Sequence, residues 1–325
     1  MRTRAPICYL GPCYLGLICY LVLVAGCASL QSAPGALQRH SVRVSEHSLT
    51  LWSRELAKSK GAILLVHGRT WSSLPNFDLQ VPGEARSVMS ALNAAGFDAY
   101  ALDMRGYGAT PRDASGWLTP LQASEDVAAA LAWIASRERQ VPALLGYSKG
   151  SLVAQLAAQR RPERMSALIM FGYPRDPAAP PPLAPVPAMP PREVNTRERA
   201  QSDFISPAVT SPAVVQAYVA AALAADPIRV DWRDEEQFDA LDPAQVKVPT
   251  LLLHGERDPL TPLPAQARLF AQLGNPDRRW IILPGGDHAA MVEDSHAAFM
   301  AAVVSFLQRP GIAATPAGAT AHAKH

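Results

Sequence analysis

The sequence predicts an α/β fold built on a mostly parallel sheet, and two observations predict it. Short continuous apolar runs, as found in strands buried on both faces, alternate along the chain with longer stretches of helical periodicity. A strand–helix–strand order also requires right-handed crossovers, which lay helices against a shared sheet. Composition fits such a core: of 325 residues, 49% are hydrophobic and 18% charged. The formal charge of +2, from 30 basic and 28 acidic side chains, supplies no footprint for nucleic acid.

Taken in order, Ser41–Val44 and Leu49–Glu55 alternate apolar and polar residues, as half-exposed antiparallel strands do. The buried runs follow at Ala62–Val66, Ala99–Leu102, Ala143–Leu145, Ala167–Phe171, Thr250–Leu253 and Trp280–Leu283. Between them, helices are predicted over Glu84–Ala95, Pro120–Arg139, Lys149–Arg160, Pro264–Leu273 and Ser295–Leu307. One interruption breaks the rhythm, residues 173–248. It opens on Pro174–Pro191, too dense in proline for helix or central strand, and continues with helical segments at Thr196–Phe204, Pro212–Ala225 and Glu235–Leu241. The expectation is a helical cap inserted over the carboxyl edge of the sheet, dividing the core into residues 41–172 and 249–309. The tail, residues 310–325, is expected to be disordered.

The four cysteines, Cys8, Cys13, Cys19 and Cys27, fall near the amino terminus, where Arg2 and Arg4 precede the apolar run Leu15–Ala25. That is the layout of a signal peptide over residues 1–26. The run closes on Val24-Ala25-Gly26-Cys27, which resembles the lipobox of bacterial lipoproteins. The resemblance implies cleavage before Cys27, a lipid on its sulfur, a flexible tether over residues 27–40 and a place on the bacterial cell envelope. Ordinary signal cleavage, an uncleaved anchor and a mis-assigned start are the alternatives. Gly11, Pro12 and Gly16 make the stretch a poor span of about 20 residues. Cleavage would leave 28 basic against 28 acidic residues and Cys27 as the only cysteine, so no intramolecular disulfide could form.

The sharpest chemical signal is Gly146-Tyr147-Ser148-Lys149-Gly150, a G-x-S-x-G between an apolar run and a helix. A nucleophile on so tight a turn needs small residues two positions to either side, and the following helix aims its amides at a developing oxyanion. A glycine-flanked turn with an incidental serine is the bland alternative. A serine hydroxyl needs a base. His288, after the last apolar run in Leu283-Pro-Gly-Gly-Asp-His288, is the candidate; His67 and His254, each before a glycine at a strand end, read as structural. A carboxylate must fix the base in one tautomer, and Asp258 best fits the chain order Ser, Asp, His. Asp176 is the reserve, Asp287 a weaker candidate, and Glu256 reads as a loop residue.

With these pieces the chain resembles the α/β-hydrolase superfamily over residues 40–309. His67-Gly68 after a strand and Asp103-Met104-Arg105-Gly106-Tyr107-Gly108, like the family's D-x-R-G-x-G segment, extend the match. The resemblance implies that the amides of Arg69 and Lys149 form the oxyanion hole and that no metal or cofactor takes part. Serine at the elbow implies acyl transfer to water from an ester, lactone, thioester or activated amide. The partner is thus a small acyl substrate. Arg69 in place of a glycine-rich run does not indicate bulky triacylglycerols. Trp71, Phe77, Trp117 and Tyr147 are candidates for the acyl pocket or for ordinary packing. Arg69 and Lys149 could attract a carboxylated substrate or simply be solvated cations. Rival readings are a non-catalytic binding or envelope protein of the same fold, a perhydrolase or amidase with the same triad, and an intracellular hydrolase.

Overall fold

Strand pairing organises the chain around one eight-stranded sheet, seen in a computed structural model that describes residues 35–178 and 185–312. Its strands are β1 (Leu37–Val44), β2 (His47–Arg54), β3 (Ala62–Val66), β4 (Asp98–Asp103), β6 (Ala143–Tyr147), β7 (Leu168–Phe171), β9 (Thr250–Gly255) and β10 (Arg278–Leu283); β5 (Trp117–Leu118) and β8 (Asp231–Trp232) pair separately. The order is β1-β2-β4-β3-β6-β7-β9-β10, with β2 antiparallel to both neighbours and the other pairs parallel. The helices are α1 (Ser73–Phe77), α2 (Val88–Ala94), α3 (Pro120–Glu138), α4 (Lys149–Arg160), α5 (Arg197–Gln201), α6 (Pro212–Ala225), α7 (Leu263–Gln272) and α8 (His296–Leu307). This is the α/β-hydrolase fold, and all described residues lie in one compact unit.

Alternate side chains of each central strand feed two cores. On one face Ile63, Leu65, Leu145, Ile169 and Leu253 pack against α2, α6 and α8. On the other, Leu64, Val66, Leu144, Leu168 and Leu252 meet α3 and α4. Strands enclosed on both sides have no polar face to show, which is why β3, β6 and the middle of β4, Ala99–Leu102, read as unbroken apolar runs. Helix starts are equally local. Thr119-Pro120 and Ser211-Pro212 each place a hydroxyl cap before proline at the first helical position, the caps accepting from Gln122 N and Val214 N. Such a cap contributes about 1 kcal/mol, and proline there forfeits no helical bond.

Several expectations are corrected. β1 begins at Leu37, inside the predicted tether, because each of its residues has a β2 partner. The helix expected from Glu84 starts at Val88: Val81 and Glu84 form an isolated bridge, and Ser87 caps the helix by accepting from Ser90 N. Among the described residues β10 pairs only with β9, an edge position at which only Leu283 along the strand is buried. Within residues 173–248 the helix expected over Thr196–Phe204 shortens to α5, and Glu235–Ala240 is a 3-10 turn. Ile312, in the expected tail, packs into the core. The signal peptide, Cys27 and residues 313–325 lie outside the described residues. Among the described residues no helix is long and apolar enough to cross a membrane.

Candidate active site

Ser148 lies directly between β6 and α4 with φ 53° and ψ −125°, a positive φ on a residue with a Cβ. The turn is this sharp because its neighbours are small. A Cβ on Gly146 would sit 2.3 Å from the Gly150 carbonyl oxygen, and one on Gly150 would sit 2.3 Å from that of His67. Strain of order 1–3 kcal/mol at such a residue persists only where the surroundings enforce it. Here Ser148 N donates to Phe171 O on β7, and its own carbonyl accepts from Ser151 N and Ser151 Oγ.

The other two candidates converge on it. His288 Nδ1 donates to Asp258 Oδ2 at 2.8 Å, which leaves Nε2 unprotonated to accept from Ser148 Oγ at 2.9 Å. Asp258 is held in turn by Leu260 N, which donates to its Oδ1. Both side chains are nearly closed to solvent, 0% exposed for Asp258 and 7% for His288. Tyr147 stacks on Phe171 and meets the His288 ring at a tilt, and so packs beside the base. Burial and four nearby carboxylates push its hydroxyl well above its ordinary pKa.

The competing carboxylates are engaged elsewhere. Asp176 pairs with Arg268, Glu256 accepts from Gly285 N, and Asp287 accepts from Ser206 N and Ala289 N. His67 is pulled down to about 4 by burial and bonds Gly68 O and Met104 N, while His254 is also lowered by burial and bonds Gly255 O.

Arg69 and Lys149 line the same cavity as Ser148, of about 650 Å³. The backbone reaches Ser148 closely here, since a Cβ on Gly68 would lie 3.2 Å from the serine Cβ. Lys149 opens α4, so its amide has no intrahelical acceptor. Behind Arg69, Tyr107 of the D-x-R-G-x-G segment donates to the Arg69 carbonyl and accepts from Trp232 Nε1. Asp226 accepts from Ser72 N and Gly108 N, tying the two loops together, and its carboxyl is pushed up to about 6 mainly by burial. Of the four aromatic candidates, Trp117 lines this cavity, whereas Trp71 and Phe77 pack in the core.

The side chains of Arg69 and Lys149 are not free cations. Glu235 carries one carboxylate oxygen to Arg69 at 3.3 Å and the other to Lys149. Lys149 lies over the Trp232 ring, its ammonium 4.9 Å from the centroid, and burial pulls it down to about 8. Glu235, Trp232 and Asp226 all come from residues 173–248, and no motif in that stretch marks them. Among the described residues no group of three or more His, Cys, Asp or Glu is arranged to hold a metal ion.

Comparison with known proteins places the chain in a family. The family model described as serine aminopeptidase, S33, matches residues 57–295. The chain belongs to that α/β-hydrolase family. Solved structures resemble this hydrolase-family chain in fold. A serine hydrolase from the bacterium Cycloclasticus zankles is 16% identical with a TM-score of 0.61, covering 84% of this chain and 98% of its own. A thioesterase domain from the curacin biosynthetic pathway is 17% identical, TM-score 0.58, covering 83% and 100%. A thermophilic esterase from Thermogutta terrifontis is 18% identical, TM-score 0.57, covering 83% and 98%. No curated protein sequence matches the chain significantly.

Proposed function

We propose that the protein is a serine hydrolase that cleaves a carboxylic ester, lactone or thioester through an acyl-Ser148 intermediate. The observation that carries this reading is the unbroken relay from Ser148 Oγ to His288 to Asp258, with hydrogen bonds of 2.9 and 2.8 Å. Ser148 Oγ attacks the substrate carbonyl carbon as its proton passes to His288 Nε2. Asp258 holds the imidazole in the tautomer that can take that proton and stabilises the imidazolium formed. The amides of Arg69 and Lys149 receive the oxyanion, a role in which one lost donor commonly costs about 10² to 10³ in rate. Collapse of the tetrahedral intermediate sends the His288 proton to the leaving group. Water, deprotonated by His288, then attacks the acyl carbon and restores Ser148. The same residues would serve an amide, and the family's aminopeptidase description favours testing amino-acid anilides beside esters. A non-catalytic binder has no need of a relay this complete.

The test is turnover of 4-nitrophenyl esters, lactones, thioesters and amino-acid anilides by purified protein. Ester hydrolysis that is lost in Ser148→Ala supports the reading; equal rates in both proteins would refute it.

Membrane tethering belongs to the same reading and rests on Val24-Ala25-Gly26-Cys27. Lipid on Cys27 would hold the enzyme on the bacterial envelope. Cys27→Ser should release the protein or leave its precursor uncleaved, read by membrane fractionation and precursor size. Unchanged partition and unchanged size in that variant would remove the anchor from the account.

A further inference from the structure

We propose that Glu235 sets the charge preference of the cavity, making it a site for uncharged acyl groups and excluding esters that carry a free carboxylate. The inference rests on the hydrolase reading and deepens it by naming a substrate class. Without Glu235, the guanidinium of Arg69 would present an uncompensated positive charge beside Ser148, joined by Lys149 whenever an incoming anion keeps its amine protonated, a natural seat for a carboxylate. Glu235 fills that seat from within, one oxygen to each cation.

An incoming carboxylate would meet three obstacles. It must shed its water in a wall where Lys149 is only 9% exposed and packs against Trp232 and Phe238. It must displace a carboxylate that the chain already holds in place. It must also leave that displaced charge near its own, and like charges brought together in a poorly solvated wall repel. The remaining lining cations offer no substitute seat: Arg175 pairs with Asp239 at 2.6 Å and Arg229 with Glu193 at 3.5 Å. Glu236, exposed on the same lining, has no ion pair among the described residues and adds negative charge. Between these groups the wall is apolar, with Leu152, Val186, Val230 and Phe238 facing the cavity. A volume of about 650 Å³ accommodates a medium-chain acyl group.

The residue acts on specificity through the charges of Arg69 and Lys149 and does not touch the reacting atoms. Its test is therefore a ratio. Two esters of matched length, 4-nitrophenyl hexanoate and mono-4-nitrophenyl adipate, differ by one terminal carboxylate. The wild-type enzyme should favour the hexanoate in kcat/KM by at least about tenfold. Glu235→Gln, which keeps the shape and removes the charge, should narrow that ratio by about tenfold, mainly through a lower KM for the adipate. Glu235→Asp should stay close to the wild-type ratio. A wild-type enzyme that accepts the adipate as readily as the hexanoate overturns the proposal without any variant. So does a ratio unchanged in a Glu235→Gln protein whose Ser148 still reacts with a fluorophosphonate probe. If the wild-type protein hydrolyses neither ester and fails to react with the probe, the hydrolase reading itself falls and this inference with it. Hexanoate turnover with a flat ratio removes the charge inference alone.

Discussion

The carboxyl edge of the sheet and the segment between β7 and β9 meet at one cavity but contribute to it by different means. The sheet edge supplies the proposed reacting groups on short turns. Ser148 follows β6 at once, and Asp258 and His288 sit in the loops after β9 and β10. The segment supplies polar and charged groups from irregular backbone: Asp226 at the end of α6, Trp232 on a two-residue strand and Glu235 opening a 3-10 turn. Buried parallel strands hold atoms to a narrow range of positions, which proton transfer over a single hydrogen bond demands. Charge compensation and loop support tolerate looser geometry, so they can come from a stretch with little regular structure. On the proposed reading, the difference teaches that reaction type and substrate preference would be carried by separable parts of this chain.

The largest effect that tests this division comes from the sheet edge. Ser148→Ala or His288→Ala should each lower kcat on an activated ester by roughly 10⁴ to 10⁶, and the double variant should lose little more. Asp258→Asn should cost on the order of 10⁴, because the wrong tautomer is favoured and the imidazolium loses its partner. Additive losses in the double variant would break the idea that these residues work as one unit.

The middle effect probes where the two regions touch. Tyr107→Phe removes the donor that holds the Arg69 carbonyl, and with it the link to Trp232. Because Tyr107 acts on the proposed oxyanion hole only through the Arg69 backbone and does not touch the reacting atoms, kcat should fall by about tenfold, less than for loss of an oxyanion donor itself, with KM within about twofold. A change confined to KM would make Tyr107 part of the binding wall.

The smallest effect concerns the loop that carries His288. Glu293 accepts from Asp287 N and is pushed up to about 9 from 4.5, first by burial and then by the Asp287 carboxyl. Between pH 4.5 and about 9 the folded protein therefore keeps a proton that the unfolded chain releases, so stability falls as pH rises through that window. Glu293→Gln removes the titration. At pH 8.5 its melting temperature should exceed that of the wild type by about 2 °C or more, and the gap should close toward pH 4.5. Parallel curves across that range would mean that Glu293 titrates normally.

Legibility in the sequence follows the same division. The apolar runs of β3, β6, β7 and β9 were readable because enclosure on both faces leaves no place for polar residues. The G-x-S-x-G turn and the glycine-rich approach to His288 were readable because tight geometry restricts residue type. β10 misled for a related reason: Trp280-Ile281-Ile282 is apolar, yet an edge position leaves it partly exposed. Glu235 gave no signal, since its partners lie far away in the chain and an acid in a polar loop resembles any solvated charge. Arg69 and Lys149 were visible as cations, but their charge could not be assigned to substrate or protein until the fold brought Glu235 to them.

The central claim is a covalent acyl intermediate on Ser148, and rapid-quench mass spectrometry of the protein with 4-nitrophenyl hexanoate tests it most directly. The account predicts a hexanoyl mass increase on the peptide containing Ser148, formed within the burst of nitrophenol release, decaying as turnover proceeds and absent in Ser148→Ala. Hydrolysis at the full rate with no adduct on that peptide, or with the adduct on another residue, would contradict it.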